Sequence, residues 1–480
     1  MSTISTVDEV FTVSTVPVYI GSTKKAKNLF SVNVFRFILV FIVLGSISWY
    51  ITGVSKYQDL NWYVTLLWSL NVPLAVISLL GIATLKKDSI VSSVFYGVID
   101  KKVVFVVPSI ARLNVIPALG RVIDSIIEFA PFNLANFRID VVVDEGSEGI
   151  SLLQKVYGSN DLVRILIVPY DYSTLNGTKY KARANEYAMR MRAIDGENYE
   201  NTWVYHLDDD TSVRSDTIAS IAEFISTKGS ELYLAQGVLT FPYERSRSFV
   251  SKFADSIRPI HDLSTFYFFT GGGTPRMGLH GEHLLVRSDI EEKIGWDFGK
   301  RVKVEDAYFA LFFAKKYPGK SGFLNSATYG SSPSSVRDLV KQRRRWSSGL
   351  IHLISDKSIH LRDKKVLSYA VFIWLVGFAQ NVWVVILVGL LIGQNTTPVF
   401  RGIVLLWSFN MAFQMWSYME GVKINLGVSE KGGVIRKYFH MAMAIPGVFL
   451  IPVVESIASL LGLIEFLLRK EGFDVIQKRI

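Results

Sequence analysis

Two apolar runs without a charged residue, Phe37–Val54 and Asn61–Leu85, open the chain and restrict what it can fold into. Each is long enough to cross a hydrocarbon core of roughly 30 Å as a helix. Ser55–Leu60 joins them, so a transmembrane helical hairpin is expected over 35–87. A signal peptide is the rival reading of the first run. The second run follows at once, however, and no small-residue cleavage site intervenes. Lys24, Lys25, Lys27 and Arg36 precede the hairpin, and Lys86, Lys87, Lys101 and Lys102 follow it. Only Lys56 and Asp59 lie between the runs, so the positive-inside rule puts both flanks in the cytoplasm. Residues 1–34 form a Ser/Thr/Val-rich tail without a readable motif.

The C-terminal part turns apolar again, and about three further transmembrane helices are expected over 366–470, followed by a short tail over 471–480. Val366–Phe400 holds one span and a break at Gln394–Pro398, and Gly402–Met419 is a second. Tyr438–Leu468 is the third, interrupted by Pro446, Pro452, Glu455 and Glu465. A crossing there would place Arg469, Lys470, Lys478 and Arg479 outside, against the charge rule, so an interfacial or re-entrant course is the alternative. Glu455 is costly in lipid and is expected to face protein or a water-filled cavity, unless it sits at the interface.

Residues 88–340 have ordinary charge density and read as a soluble domain on the cytoplasmic side. Short β-branched runs recur at Val103–Val107, Ile139–Val143, Ile165–Val168, Trp203–Leu207 and Leu232–Leu239. Helix-like stretches alternate with them at Val115–Ala130, Lys179–Ala193 and Asp216–Ser226. Such alternation predicts βαβ units and an α/β fold with a mostly parallel sheet. Ligands of these sheets bind at the carboxyl ends of the strands, which singles out the residues just after each run.

Lys and Arg number 52 against 42 Asp and Glu, a formal net charge of +10. That excess fits a membrane surface or a phosphorylated substrate. No zinc, homeodomain-like or single-strand-binding signature marks nucleic acid as a partner. The chain has no cysteine. Disulfides and thiolate-held metals are excluded, and any metal must be held by oxygen or nitrogen.

Four features follow the strand runs in order. Asp144-Glu145 ends the second run, where an acid can accept hydrogen bonds from a nucleotide base or ribose; a plain strand-ending turn is the other reading. Asp208-Asp209-Asp210 ends the fourth. Three adjacent carboxylates repel, and a cation relieves them, so Asp208 and Asp210, placed on one side by strand alternation, are candidate ligands for Mg²⁺ or Mn²⁺ bridging a diphosphate. A solvated acidic turn is the alternative. Glu305-Asp306 opens an apolar periodic stretch, where acids are also favoured by the helix dipole; the chemical reading makes one a general base. Gln342-Arg343-Arg344-Arg345-Trp346 precedes the second apolar block. Arg offers multidentate contacts to a diphosphate and Trp a flat face for a sugar ring, although lipid headgroups attract the same residue types. An interfacial segment is expected over 341–365.

This order resembles the membrane family 2 glycosyltransferases, the superfamily of cellulose, chitin and hyaluronan synthases. Their pattern of an early acid, D-x-D, T/V-E-D and Q-x-x-R-W is matched by Asp144, by Asp208 with Asp210, by Val304-Glu305-Asp306, and by Gln342 with Arg345 and Trp346. Lys179–Asn185 is similar to the family's K-x-x-A-x-N segment. The stretch from Asp255 to Gly349 is most similar to egghead-type β-1,4-mannosyltransferases, through Ala254–Arg258, His280–Val286, Glu305–Ala310 and Ser332–Gly349. Two departures stand out. Pro108–Asn114 lacks the acid of the family's first loop, and His280-Gly281-Glu282-His283 replaces the expected acceptor-site segment.

The resemblance implies a GT-A-like, Rossmann-type domain inserted between transmembrane helices, and an inverting hexosyltransferase dependent on a divalent cation. Asp306, with Glu305, is the implied catalytic acid pair. Asp144, Lys181, Asp208, Gln342 and Arg345 would bind a GDP- or UDP-hexose donor. Trp346, His280 and Gly281 would border a lipid-linked acceptor. Mannose from GDP-mannose is the leading donor. A processive polysaccharide synthase with a channel, a polyprenyl-phosphate sugar synthase, and a non-catalytic receptor or transporter are the alternatives. Gln380, Asn381, Asn410 and Gln414 favour a channel slightly.

Overall fold

The computed structural model describes residues 32–54, 67, 69–85, 95–392, 401–429 and 434–469. Seven strands form one sheet: β1 (Lys102–Ser109), β2 (Phe137–Asp144), β3 (Val163–Val168), β4 (Thr202–His206), β5 (Leu234–Thr240), β6 (Leu284–Arg287) and β7 (Ser321–Tyr329). Their order is β3-β2-β1-β4-β6-β5-β7. The pairs β1–β2, β2–β3, β1–β4 and β5–β7 are parallel, while β6 runs antiparallel between β4 and β5. The sheet is therefore mixed and mostly parallel, as the alternating runs predict.

Five strands coincide with the β-branched runs because those runs are buried on both faces. β1 and β4 are buried along nearly all their length. Two apolar layers cover them: Phe105, Leu119, Ile123 and Tyr205 belong to one, Val104, Val106, Val204 and Phe309 to the other. β6 and β7 were not marked by pattern. β6 has four residues, and β7 is rich in small and polar residues although nearly all of it is buried.

The topology places the site. The chain winds from β1 to β3 on one side and returns to β4 on the other, so the order reverses at β1. A crevice opens at such a switch point, beyond the carboxyl ends of the strands. Ser109 and Asp208–Asp210 occupy that edge. Antiparallel β6 begins opposite His206, which brings the preceding His280–His283 segment to the same end. His206 itself is fixed from below: buried Glu291 lies 2.9 Å from its Nε2 and accepts bonds from Trp296 Nε1 (2.7 Å) and Arg192 (2.5 Å).

Around this domain lie the helices Val34–Val54, Val72–Thr84, Val336–Ser355, Leu361–Ile392, Arg401–Val428, Val434–Ala442 and Ala444–Leu467. The connection expected at Ser55–Leu60 and the break at Gln394–Pro398 lie outside the described residues. Among the described residues one helix, Ile445–Leu467, is long and apolar enough to cross a membrane; Val34–Tyr50 and Val72–Thr84 are apolar but shorter. The segment expected over 341–365 is mostly the single helix Val336–Ser355, started by Ser335, whose hydroxyl accepts the Asp338 N–H (3.1 Å).

Candidate active site

β4 ends at His206, one residue earlier than the apolar run, and Asp208–Asp210 form a turn closed by a bond from Thr211 N–H to the Asp208 carbonyl (3.2 Å). Strand alternation therefore does not govern these three side chains, and they fan out. Asp208 accepts from Lys181 Nζ, Asp209 from Ser109 Oγ (2.7 Å), and buried Asp210 from the Ser331 N–H (3.3 Å). Lys181 also donates to the Gly281 carbonyl (2.7 Å) and so ties the acidic turn to the His280–His283 segment.

A side chain at position 281 would push against Lys181. A Cβ there would meet Lys181 Nζ at 2.8 Å and stand 3.5 Å from Asp306 Oδ2. The carboxylate that opens the helix Glu305–Lys316 thus lies beside the lysine that holds Asp208. Asp306 Oδ1 accepts the Ala307 N–H (2.8 Å), which leaves Oδ2 directed at Gly281. Both acids are half-buried in the crevice. Burial, and then the neighbouring Asp306 charge, push the Glu305 carboxyl up to about 7. Burial likewise raises Asp306, against the opposing pull of Lys181 and His280. Burial works against the Lys181 ammonium, yet Asp208 and Glu305 hold it above the usual lysine value.

His280 Nε2 lies 2.7 Å from buried Asp262 Oδ1, with the Phe266 ring 4.4 Å from its own. His283, by contrast, is a core residue clasped between Tyr205 OH (2.6 Å) and the Ser326 carbonyl (3.0 Å). Asp144 accepts from Arg183 (2.5 Å). The Trp346 ring is flanked by the guanidinium groups of Arg343 and Arg258, 4.3 and 5.0 Å from its centroid. Gln342 accepts from Arg343 (2.6 Å).

One cavity of about 960 Å³ runs through the site. Asp144, Lys181, Asp208, Asp210, His280, Gly281, Glu305, Asp306, Gln342, Arg345 and Trp346 all line it, whereas Glu145 and Arg344 of the same motifs do not. The cavity then continues between the apolar helices, past Trp374, Gly377, Gln380, Asn410, Gln414 and Glu455. Sequence reasoning gave no individual role to Asp209, Arg258 or Glu282 and did not name Asp262, all of which share the lining. Arg258 lies in the Ala254–Arg258 segment that carries the family resemblance, and this was the available signal. Asp262 had none, because its partner His280 is distant in sequence.

No group of three or more His, Cys, Asp or Glu side chains fit to hold a metal occurs among the described residues. Asp208 and Asp210 instead present a hard-oxygen pair at the cavity. Such a pair suits Mg²⁺ or Mn²⁺ when substrate phosphate oxygens complete the coordination.

Residues 203–419 match the family described as glycosyl transferase family group 2. The match runs from β4 into the helix Arg401–Val428 and includes Asp208, Asp306 and Trp346. The β-1,4-mannosyltransferase bre-3 of Caenorhabditis elegans is 25% identical over 72% of this chain and 72% of its own. The β-1,4-mannosyltransferase egh of Drosophila melanogaster is 26% identical over 78% and 76%. Among solved structures, a mannosyltransferase from Pyrobaculum calidifontis in complex with GDP-Man and Mn²⁺ aligns with a TM-score of 0.47 at 13% identity, covering 85% of this chain and 99% of that one. The protein thus carries a family 2 glycosyl transferase domain and is a glycosyltransferase.

Proposed function

We propose that the protein transfers mannose from GDP-mannose to a hydroxyl of a membrane lipid-linked acceptor, with inversion at the anomeric carbon. One observation carries this reading: a single cavity joins the Asp208–Asp210 turn and Asp306 to a wall of apolar helices. A charged donor fits the first end. A lipid whose sugar head reaches in from a bilayer fits the second. The relatives named β-1,4-mannosyltransferases support the sugar and the stereochemistry, since a single displacement on an α-linked nucleotide sugar yields a β-linkage. In this reading the protein is a multi-pass membrane protein with its catalytic domain, residues 88–340, in the cytoplasm.

Asp306 takes the proton as the acceptor oxygen bonds to the anomeric carbon, and the bond to the diphosphate breaks on the opposite face. An oxocarbenium-like transition state is expected, as in other glycosyl transfers. Lys181 and Arg345 stabilise the charge gathering on the departing diphosphate. Asp208 and Asp210 would hold a divalent cation, whose chemistry when bound is to neutralise that same charge. Asp144 accepts from the nucleoside, Gln342 helps bind the donor, and Trp346, His280 and Gly281 border the acceptor.

Two tests arise here. Asp208→Asn is expected to abolish Mn²⁺-dependent binding of GDP-mannose in calorimetry while the protein stays folded; unchanged binding would remove Asp208 from the donor site. The raised carboxyls of Glu305 and Asp306 set a pH dependence. A base must be ionised to act, so kcat/KM should fall by up to about tenfold per pH unit on the acid side, with that limb set above the ordinary aspartate range, and level off at higher pH. The break belongs to the coupled pair and not to either acid alone. A flat profile from pH 5 to 8 would count against a carboxylate base.

A processive synthase is the second reading, favoured by the polar side chains of Gln380, Asn410 and Gln414 along the cavity wall. Product length separates the two: single-sugar products support the first, and a polymer ladder the second.

A further inference from the structure

Within the helix Ala444–Leu467, the stretch Ile445–Leu467 is long and apolar enough to cross a bilayer, yet its contacts place both ends at the catalytic domain. At its start, Gly447 packs directly on the Phe253 ring, and Val448 and Ile451 share a cluster with Tyr243, Phe253 and Leu339. At its end, Glu465 pairs with Lys303 and with Arg344 Nε (3.1 Å), while Leu463 and Phe466 pack into the cluster of Val304, Ala307 and Tyr308 beside the catalytic acids. Between these points it runs alongside the helix Val336–Ser355. Arg343 Nε donates to Glu455 (2.7 Å), Ser347 Oγ donates to the Ser459 carbonyl (3.0 Å), and the Gly462 backbone presses on Ser347 and Arg344. The pairs Arg343–Glu455, Ser347–Ser459 and His352–Phe466 rise together along both helices, so the two lie side by side.

Residues 447 and 465 are about 27 Å apart along a helix axis. A crossing helix would carry one of them nearly the full hydrocarbon thickness away from the domain. The companion helix carries Arg337, Asp338, Lys341 and Arg343–Arg345, a set that cannot lie in hydrocarbon. Among the described residues the remaining face of Ala444–Leu467 has no packing partner and is apolar: Ile445, Phe449, Val453, Ile457, Leu460, Leu461, Ile464 and Leu467 are exposed at helical spacing along one stripe.

We propose that this helix lies in the plane of the membrane, its apolar stripe sunk among the lipids of the leaflet on the catalytic side. The inference rests on the membrane placement proposed above. Two features select lipid as the occupant. The stripe belongs to the same assembly as the apolar exposed face of Val34–Val54, at Ile38, Leu39, Ile42 and Val43. The basic residues that follow, Arg469, Lys470, Lys478 and Arg479, complement anionic headgroups when they stay on the catalytic side, which removes the conflict with the charge rule. The opposite face of the helix supplies Val448, Pro452, Glu455 and Ser456 to the cavity wall, so the lipid-facing helix is also a wall of the acceptor's route.

The chain contains no cysteine, which makes site-specific labelling direct. Nitroxide labels on Phe449→Cys, Val453→Cys, Ile457→Cys, Leu460→Cys and Ile464→Cys, in the full chain in phosphatidylcholine/phosphatidylserine liposomes, report depth through lipid-soluble and water-soluble relaxants. All five are expected at one shallow depth, about 5–10 Å below the headgroups. A depth that rises to a maximum near Ile457 and falls on either side would overturn the proposal in favour of a crossing. Labels shielded from both relaxants would overturn it in favour of a protein partner or a second copy. A label on Ile42→Cys is the reference: if it too shows no lipid exposure, the membrane placement itself fails.

Discussion

Asp306→Asn is expected to lower kcat by about 10²–10⁴-fold, the usual contribution of a positioned general base, with the fold and donor affinity kept. Asn retains the size of the side chain and an oxygen to accept the Ala307 N–H, so the start of the Glu305–Lys316 helix is undisturbed. What it lacks is a proton acceptor next to Gly281, where Lys181 joins the donor-side turn to the acceptor-side segment. The surviving Asp208–Lys181 pair keeps the diphosphate end intact. Single-turnover transfer of labelled sugar, beside calorimetric titration with GDP-mannose, separates chemistry from binding. Normal turnover in D306N would overturn the base assignment and favour an acceptor that needs no deprotonation, such as a phosphate.

The second large effect belongs to a residue outside the chemistry. Arg343 is buried and bridges two acids, Asp255 (2.6 Å) on the catalytic domain and Glu455 (2.7 Å) on the in-plane helix, while stacking on Trp346. Arg343→Met would leave Asp255 charged and unpaired in the interior, and removing one partner of a buried ion pair costs about 3–5 kcal/mol. Thermal unfolding in detergent should show a large loss of stability. The triple variant R343M with Asp255→Asn and Glu455→Gln should recover much of it, because no uncompensated charge remains. If R343M unfolds like the unaltered protein, the network does not couple the last helix to the domain.

The neighbouring arginines show where sequence reading stops. Gln342–Trp346 stood out in the sequence as one basic, aromatic cluster, but where its three arginines point depends on helical phase. Successive residues turn by about 100°, so Arg343 points inward to Asp255, Arg344 reaches Glu465, and Arg345 faces the cavity. The order of the acids along the chain was equally legible, because parallel strands deliver their carboxyl ends to one edge. The fan of Asp208–Asp210 was not. Strand β4 stops at His206, and a turn replaces the alternation that would have put two carboxylates on one side. Strands β6 and β7 escaped notice for different reasons. Leu284–Arg287 is too short for a period to register, and Ser321–Tyr329 is buried by its neighbours despite small, polar residues. The Asp262–His280 and Arg343–Glu455 pairs join residues 18 and 112 positions apart, a separation that no local pattern encodes. The last helix left two courses open in the sequence, a crossing and an interfacial path: its composition is that of a span, and the charges that follow it argue against one.

The central claim is that the Asp208–Asp210 turn and Asp306 act together on a mannosyl donor beside a lipid surface. The most direct measurement incubates the purified protein in liposomes with Mn²⁺, GDP-[¹⁴C]mannose and a glycolipid extract, then analyses the organic phase. The account predicts label in lipid as a single added hexose in β-linkage, absent with D306N. Label confined to free mannose, or found in lipid with retained anomeric configuration, would contradict it.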